Sequence, residues 1–273
     1  MAGGPGPVAL VGSGEFLPGM AAVDGALLEG RPRRAVVLPT AAAPEGDERV
    51  AYWISLARSH YEAMGVEVVP LDVRTRADAF DPAPAGAVDG AGLVYLSGGN
   101  PHHLARTLES TPVWDAIRTA WKEGAAVGGC SAGAMALTSG APLDLFASGD
   151  EWGELTTQWR AANGLGLVSS LAVIPHFDWM QRVRPGVLAR FAAWHPPGTT
   201  LVGIEEDTAL VTDAGGWRVQ GRGAVWVFEG DDRTAYRDGD DVALPGRAGD
   251  TSPGPTPTPR NVATANTVGQ SRE

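Results

Sequence analysis

The sequence predicts an α/β protein organised on a doubly wound, mainly parallel sheet. Two patterns carry the prediction. Short apolar runs alternate with helical periodicities through the first half of the chain, the order that βαβ units impose. The runs are apolar throughout rather than every second residue, as strands covered on both faces must be. A third pattern locates the business end: glycine-rich loops follow directly on two of the runs, and at one of them the chain reads strand, tight turn, helix.

The elements follow in order. Val8-Ala-Leu-Val-Gly12 is a first strand, stopped by Gly-Ser-Gly and leading into a loop at Gly14 and Glu15. Ala35 to Pro39 is a second, ending at Thr40. Val50, Trp53, Ile54, Ala57, Tyr61 and Met64 recur at three- and four-residue spacing, an amphipathic helix closed by Gly65. Val66 to Leu71 is a third strand, and Gly92 to Ser97 a fourth that runs at once into Gly98-Gly99-Asn100-Pro101. Asn100 and Pro101 read as the cap and first residue of a helix through Leu104 and Leu108. Thr111-Pro112 opens another, carrying Val113, Trp114, Ile117, Ala120 and Trp121, which Gly124 ends. Ala125, Ala126 and Val127 form the strand into Gly128-Gly129-Cys130-Ser131-Ala132-Gly133-Ala134-Met135.

Beyond that turn the pattern loosens. Leu143 to Gly166 is polar and irregular, a loop or partial helix over the site. Leu171 to Phe177 is a strand running into His176, and Thr199 to Val211 gives a further strand pair around Gly203. Trp217-Arg-Val and Val225-Trp-Val-Phe228 alternate, which predicts a small antiparallel β-extension near the C-terminus. The expected division is a flexible N-terminus over 1–7, a single α/β domain over 8–244 and a disordered Pro/Thr-rich tail over 245–273.

Composition narrows the function. A net charge of −11 without any Lys/Arg cluster argues against a nucleic-acid or anionic-membrane surface. One cysteine in 273 residues excludes an internal disulfide and a Cys-rich zinc site, and neither metal nor cofactor is expected. The start, Met-Ala-Gly-Gly-Pro-Gly-Pro, lacks a basic region followed by an apolar run, so a cytoplasmic location is expected.

Gly129-Cys130-Ser131-Ala132-Gly133 is G-x-S-x-G. Small residues two before and two after the serine are needed because side chains there would collide inside so tight a turn. Ser131 is therefore the candidate nucleophile. Cys130 would be flanked by Gly128 and Ala132, a poorer match. A serine hydroxyl needs a general base, and there are five histidines. His60 falls on the polar side of its helix and reads as solvated, and His195 precedes two prolines in a loop. His102 and His103 sit in a helix's first turn, which disfavours a protonated imidazole. His176 follows an apolar strand and is the candidate base. Glu206, after Leu201-Val-Gly-Ile204, is the first choice for the acid that orients it, with Asp144 and Asp150 as alternatives. Two N–H donors must face the developing oxyanion, each worth on the order of 3 kcal/mol. Ala132 and Gly99 are the candidates.

Assembled, these residues resemble the serine peptidase family of dipeptidase E and cyanophycinase. The resemblance is carried by Leu96-Ser-Gly-Gly-Asn-Pro101, Gly129-Cys-Ser-Ala-Gly-Ala134, Ile174-Pro-His-Phe177 and Gly203-Ile-Glu-Glu-Asp-Thr-Ala-Leu210, and it covers roughly 8–230. It implies a fold similar to the class I glutamine amidotransferases, flavodoxin-like with a nucleophile elbow, and hydrolysis of peptide bonds next to aspartyl residues. It implies Ser131 as nucleophile, His176 as base, and Gly99 with Ala132 as oxyanion donors, while leaving Glu206 and Asp144 both open. Pro175-His176-Phe177 resembles the dipeptidase branch, whereas cyanophycinases carry Asp-Gln before the histidine. Gln181-Arg-Val-Arg184 resembles the arginine-bearing cyanophycinase segment, displaced two residues from the histidine. Arg182 and Arg184 are thus candidates for holding a substrate carboxylate, and Asn100 is a third candidate for substrate binding. The expected function is a serine-type peptidase of small aspartyl peptides, α- or β-linked, with a small peptide as partner and a homodimer as a candidate assembly. The alternatives are an amidotransferase-like binding or sensor protein without turnover, and a Cys130 amidase.

Overall fold

Five apolar runs become strands laid in parallel: β1 (Val8–Val11), β2 (Arg34–Leu38), β3 (Glu67–Pro70), β4 (Leu93–Leu96) and β5 (Ala126–Cys130). The computed structural model describes residues 4–139, 164–186, 188, 198–213, 216–230 and 232–245. The parallel strands lie in the order β1-β5-β4-β2-β3. The chain steps outward from β1 to β2 and β3, then returns through β4 to β5. Right-handed crossovers therefore place the connections of the two directions on opposite faces.

The burial pattern agrees. On the outward steps run α1 (Ala21–Leu27) and α2 (Asp47–Ala63), whose Val23, Leu27, Ala57 and Tyr61 pack with Ala9 and Val11. On the return run α3 (Pro82–Gly86), α4 (Pro101–Leu108) and α5 (Pro112–Lys122). Leu104, Leu108, Trp114 and Ile117 from α4 and α5 pack with Val8 and Leu10 on the other face. The caps are those the residue types favour: Asn100 Oδ1 accepts from His103 N–H at 2.9 Å, and Thr111 Oγ1 accepts from Trp114 N–H at 3.3 Å. Helix α2 ends before Gly65, at φ 69°.

The later strands form more than a small extension. The free edge of β1 takes β8 (Thr208–Asp213) antiparallel, followed by β9 (Gly216–Gly221) and β12 (Asp241–Val242). A second, four-stranded sheet runs β11 (Asp232–Arg237), β10 (Ala224–Glu229), β7 (Thr200–Ile204), β6 (Leu171–Ile174), with β6 parallel to β7. Its Val173, Val202, Val225 and Val227 join the core under α4 and α5. The strand pair expected over 199–211 is therefore not a hairpin, because β7 and β8 belong to different sheets. The chain changes sheet at Glu205-Glu206-Asp207, where Asp207 adopts φ 52° and its N–H donates to the Ser13 carbonyl at 3.1 Å.

Three further differences bear on the sequence reading. Helix α1 was not foreseen. His60 is buried rather than solvated, with Nε2 2.7 Å from Asp24 Oδ2 on α1. Within the segment expected to be a flexible N-terminus, Gly6 exchanges two 2.8 Å hydrogen bonds with Trp121, one to its carbonyl and one from its indole N–H. The expected loop over the site, up to residue 163, and the tail beyond 245 lie outside the described residues, as do Asp144, Asp150 and His195. Among the described residues no helix is long and apolar enough to cross a membrane.

Candidate active site

Strand β5 ends at Cys130 and α6 (Ala132–Leu137) begins two residues later, so Ser131 alone turns the corner, at φ 50° and ψ −107°. A non-glycine residue there is strained by on the order of 1–3 kcal/mol, and it persists only where the surroundings over-determine it. The surroundings are the glycines of the motif. A Cβ at Gly129 would lie 2.6 Å from the Gly133 carbonyl carbon, and one at Gly133 would lie 2.1 Å from the Leu96 carbonyl oxygen. Strand, turn and helix touch backbone to backbone, and the Ser131 N–H is tied to the Val11 carbonyl at 2.9 Å.

Two side chains from the second half of the fold line up behind this serine, one touching it and the other touching the first. His176 leaves the carboxyl end of β6, at φ 49°, and begins α7 (Phe177–Val183). This is a strand end, as the sequence suggests, but it belongs to the second sheet. Its Nε2 is 3.1 Å from Ser131 Oγ, and its Nδ1 is 3.0 Å from Glu206 Oε1. With Nδ1 protonated and donating to the carboxylate, Nε2 is left to accept from the serine hydroxyl. Glu206 occupies the crossing from β7 to β8, and its own N–H donates to Asp178 Oδ1 on α7 at 3.2 Å. Asp178, which sequence reasoning did not single out, thereby ties the carboxylate's backbone to the helix that starts at the histidine. Its neighbour Glu205 is spent on structure, accepting from Ala224 N–H at 2.9 Å and Trp226 Nε1 at 2.8 Å.

The β4 loop closes the other side. Gly99 adopts φ 139° and is packed so tightly that a Cβ would lie 2.4 Å from the Ala41 carbonyl. Its N–H has no partner among the described residues, while the N–H groups on either side are used: Gly98 donates to Glu15 Oε1 at 2.9 Å and Asn100 to the Ala41 carbonyl at 2.7 Å. Ala132 is the first residue of α6, so its N–H has no acceptor within the helix. A Cβ at Gly98 would be 3.6 Å from Ser131 Cβ, which puts this loop against the elbow.

The remaining candidates fall less centrally. Asn100 commits its side-chain oxygen to capping α4. Arg182 is largely exposed on α7, 4.0 Å from Asp178, and Arg184 caps that helix. His103 bonds the Arg74 carbonyl at 2.8 Å. Cys130 is fully buried with Sγ 2.8 Å from Glu15 Oε2, and burial, then the Glu15 charge, pushes its thiol well above the ordinary range. A protonated, inaccessible thiol is no nucleophile, which sets the Cys130 amidase aside. Glu15, like Asp178, is a residue at the site that the sequence did not single out. The one available signal was an acidic side chain in the loop after a fully apolar strand.

Comparison with known proteins identifies the family. A cyanophycinase from Trichormus variabilis is 33% identical over 174 residues, 62% of this chain and 56% of its own length. A cyanophycinase from Synechococcus elongatus is 31% identical over 165 residues, 60% of this chain and 49% of its own. The chain thus spans about half the length of the curated relatives it matches. The crystal structure of a peptidase from an acI-B1 Actinobacterium superposes with a TM-score of 0.78 at 33% identity, over 89% of this chain and 99% of that one. A structure from Listeria monocytogenes EGD-e, 16% identical with a TM-score of 0.57, shares the fold. Residues 13–219, which include the elbow, the histidine and the carboxylate, match peptidase family S51, and the chain belongs to that family.

Proposed function

We propose that the protein is a serine peptidase acting on small peptides, with aspartyl dipeptides, α- or β-linked, as the substrate class. One observation carries this reading: His176 bridges Ser131 and Glu206 through its two ring nitrogens, at 3.1 and 3.0 Å. Ser131 Oγ attacks the scissile carbonyl while its proton passes to His176 Nε2. Glu206 accepts from Nδ1–H and stabilises the imidazolium. The oxyanion accepts from the N–H groups of Gly99 and Ala132. The imidazolium then protonates the leaving amine, an acyl-serine forms, and a water deprotonated by His176 releases the acid and regenerates the hydroxyl.

The substrate class is supported by family membership and by the relatives named cyanophycinases. The exposed Arg182, on the helix that starts at the base, is the proposed clamp for a substrate carboxylate, with Arg184 beside it. A panel of Asp-X, β-Asp-X and unrelated dipeptides, assayed with wild type and Ser131→Ala, tests the reading. Aspartyl dipeptides are cleaved by the wild type, and Ser131→Ala loses about 10⁴-fold or more in kcat. Full activity in Ser131→Ala overturns the nucleophile. If no dipeptide is cleaved and no fluorophosphonate adduct forms at Ser131, the protein binds without turnover.

A further inference from the structure

The buried carboxylate of Glu15 has no part in the proton transfers above, yet it lies directly beneath them. Glu15 sits in the loop after β1 and is 4% exposed. Removing a carboxylate from water costs several kcal/mol unless its oxygens are well bonded, and here each oxygen has its own donor. Oε1 accepts from Gly98 N–H at 2.9 Å, and Oε2 accepts from Cys130 S–H at 2.8 Å.

The identity of these donors gives the arrangement its meaning. β1, β5 and β4 are neighbours in the sheet, and Glu15 reaches from the loop of the first to the last residue of the second and the loop of the third. Gly98 immediately precedes Gly99, and Cys130 immediately precedes Ser131, with Ala132 next. One side chain therefore holds the two backbone segments that carry the proposed oxyanion donors and the nucleophile. The fit is tight. A Cβ at Gly98 would come within 2.9 Å of Glu15 Oε1, so the loop can approach Glu15 this closely only because residue 98 has no side chain.

We propose, resting on the reading of Ser131 as nucleophile, that Glu15 is a positioning residue that fixes the separation of the two oxyanion donors. It acts by reach rather than by charge. The oxyanion forms only during the reaction, so a misplaced donor weakens the transition state and leaves the substrate's other contacts alone.

Two substitutions separate reach from charge. Glu15→Gln keeps the length and an acceptor for Gly98 N–H, and its amide faces a sulfur that accepts weakly. Glu15→Asp keeps the charge but is one methylene too short to hold both partners. Rates are measured on an aspartyl dipeptide and expressed per Ser131 site titrated with a fluorophosphonate, so that unfolded protein does not count. The expected result is a Gln variant within about threefold of wild type and an Asp variant down about 10- to 100-fold in kcat with KM little changed, the scale of an ångström's misplacement. An Asp variant as fast as wild type overturns the inference. A Gln variant as slow as the Asp variant overturns it as well, because charge would then be what matters. If the wild type itself titrates no Ser131 sites, the peptidase reading fails first, and that outcome is distinct from both.

Discussion

At the scale of single residues, the acid of the candidate triad is the most informative position to change. Glu206 is about one-third exposed, and only one of its oxygens faces the imidazole, Oε1 at 3.0 Å from Nδ1. Glu206→Gln keeps the shape but can present an N–H to Nδ1, which favours the tautomer that carries its proton on Nε2 and cannot accept from serine. The analogous change in a fully buried triad costs about 10⁴ in kcat. With solvent reaching this carboxylate, a fall of about 10²- to 10³-fold in kcat is expected, read from steady-state kinetics on the same aspartyl dipeptide. The serine and the histidine stand out in the chain as candidates because each follows a strand at a position marked by residues with few other uses. Glu206, in contrast, is one of three carboxylates the sequence leaves open, and only its 3.0 Å contact with His176 singles it out. Glu15 and Asp178 do not stand out. Their roles depend on which loops become neighbours, and no spacing along the chain encodes that.

Among the elements, α2 shows how a helical pattern can mislead. His60 lies outside the apolar spacing of Val50, Ala57 and Tyr61, and so reads as a solvent-facing residue. The unforeseen helix α1 supplies Asp24 opposite it, and the pair is buried at 2.7 Å. Burial pushes the Asp24 carboxyl up, with the His60 hydrogen bond pulling the other way. His60→Ala removes the imidazole partner of that carboxylate, and a loss of about 3–5 kcal/mol in urea unfolding is expected. Replacing both residues with leucine recovers most of it. The sign with pH follows from the raised pKa: the folded state holds the Asp24 proton more tightly than the unfolded chain does. Stability therefore rises as pH falls through the folded value towards the ordinary 3.8. The deficit of His60→Ala shrinks correspondingly at about pH 5 relative to pH 8, since protonation removes the unpaired charge.

Over the whole molecule, the parallel sheet was legible because its strands are uniformly apolar and α4 and α5 carry clear caps. The second sheet was not, since β6 and β7 have the same apolar character as main-sheet strands and only packing assigns them. The same dense core sets the alkaline limit of the fold. Burial is the first cause raising Cys130, Tyr61 and Tyr95 well above their ordinary values of 9.0 for the thiol and 10.0 for the phenols. In the unfolded chain these groups lose protons first, so their contribution is complete below pH 9 and drains away as pH rises through and beyond 10. Tyr61→Phe is expected to lessen that decline by about 1.4 kcal/mol per pH unit above pH 10, measured by urea unfolding between pH 8 and 11. The division into two sheets also has a consequence in time. Ser131 lies 45 residues ahead of His176, which lies 30 ahead of Glu206. A ribosome releases the elbow, with all five parallel strands, well before either partner. Until the second sheet docks, Ser131 lacks the His176 contact that completes the candidate triad.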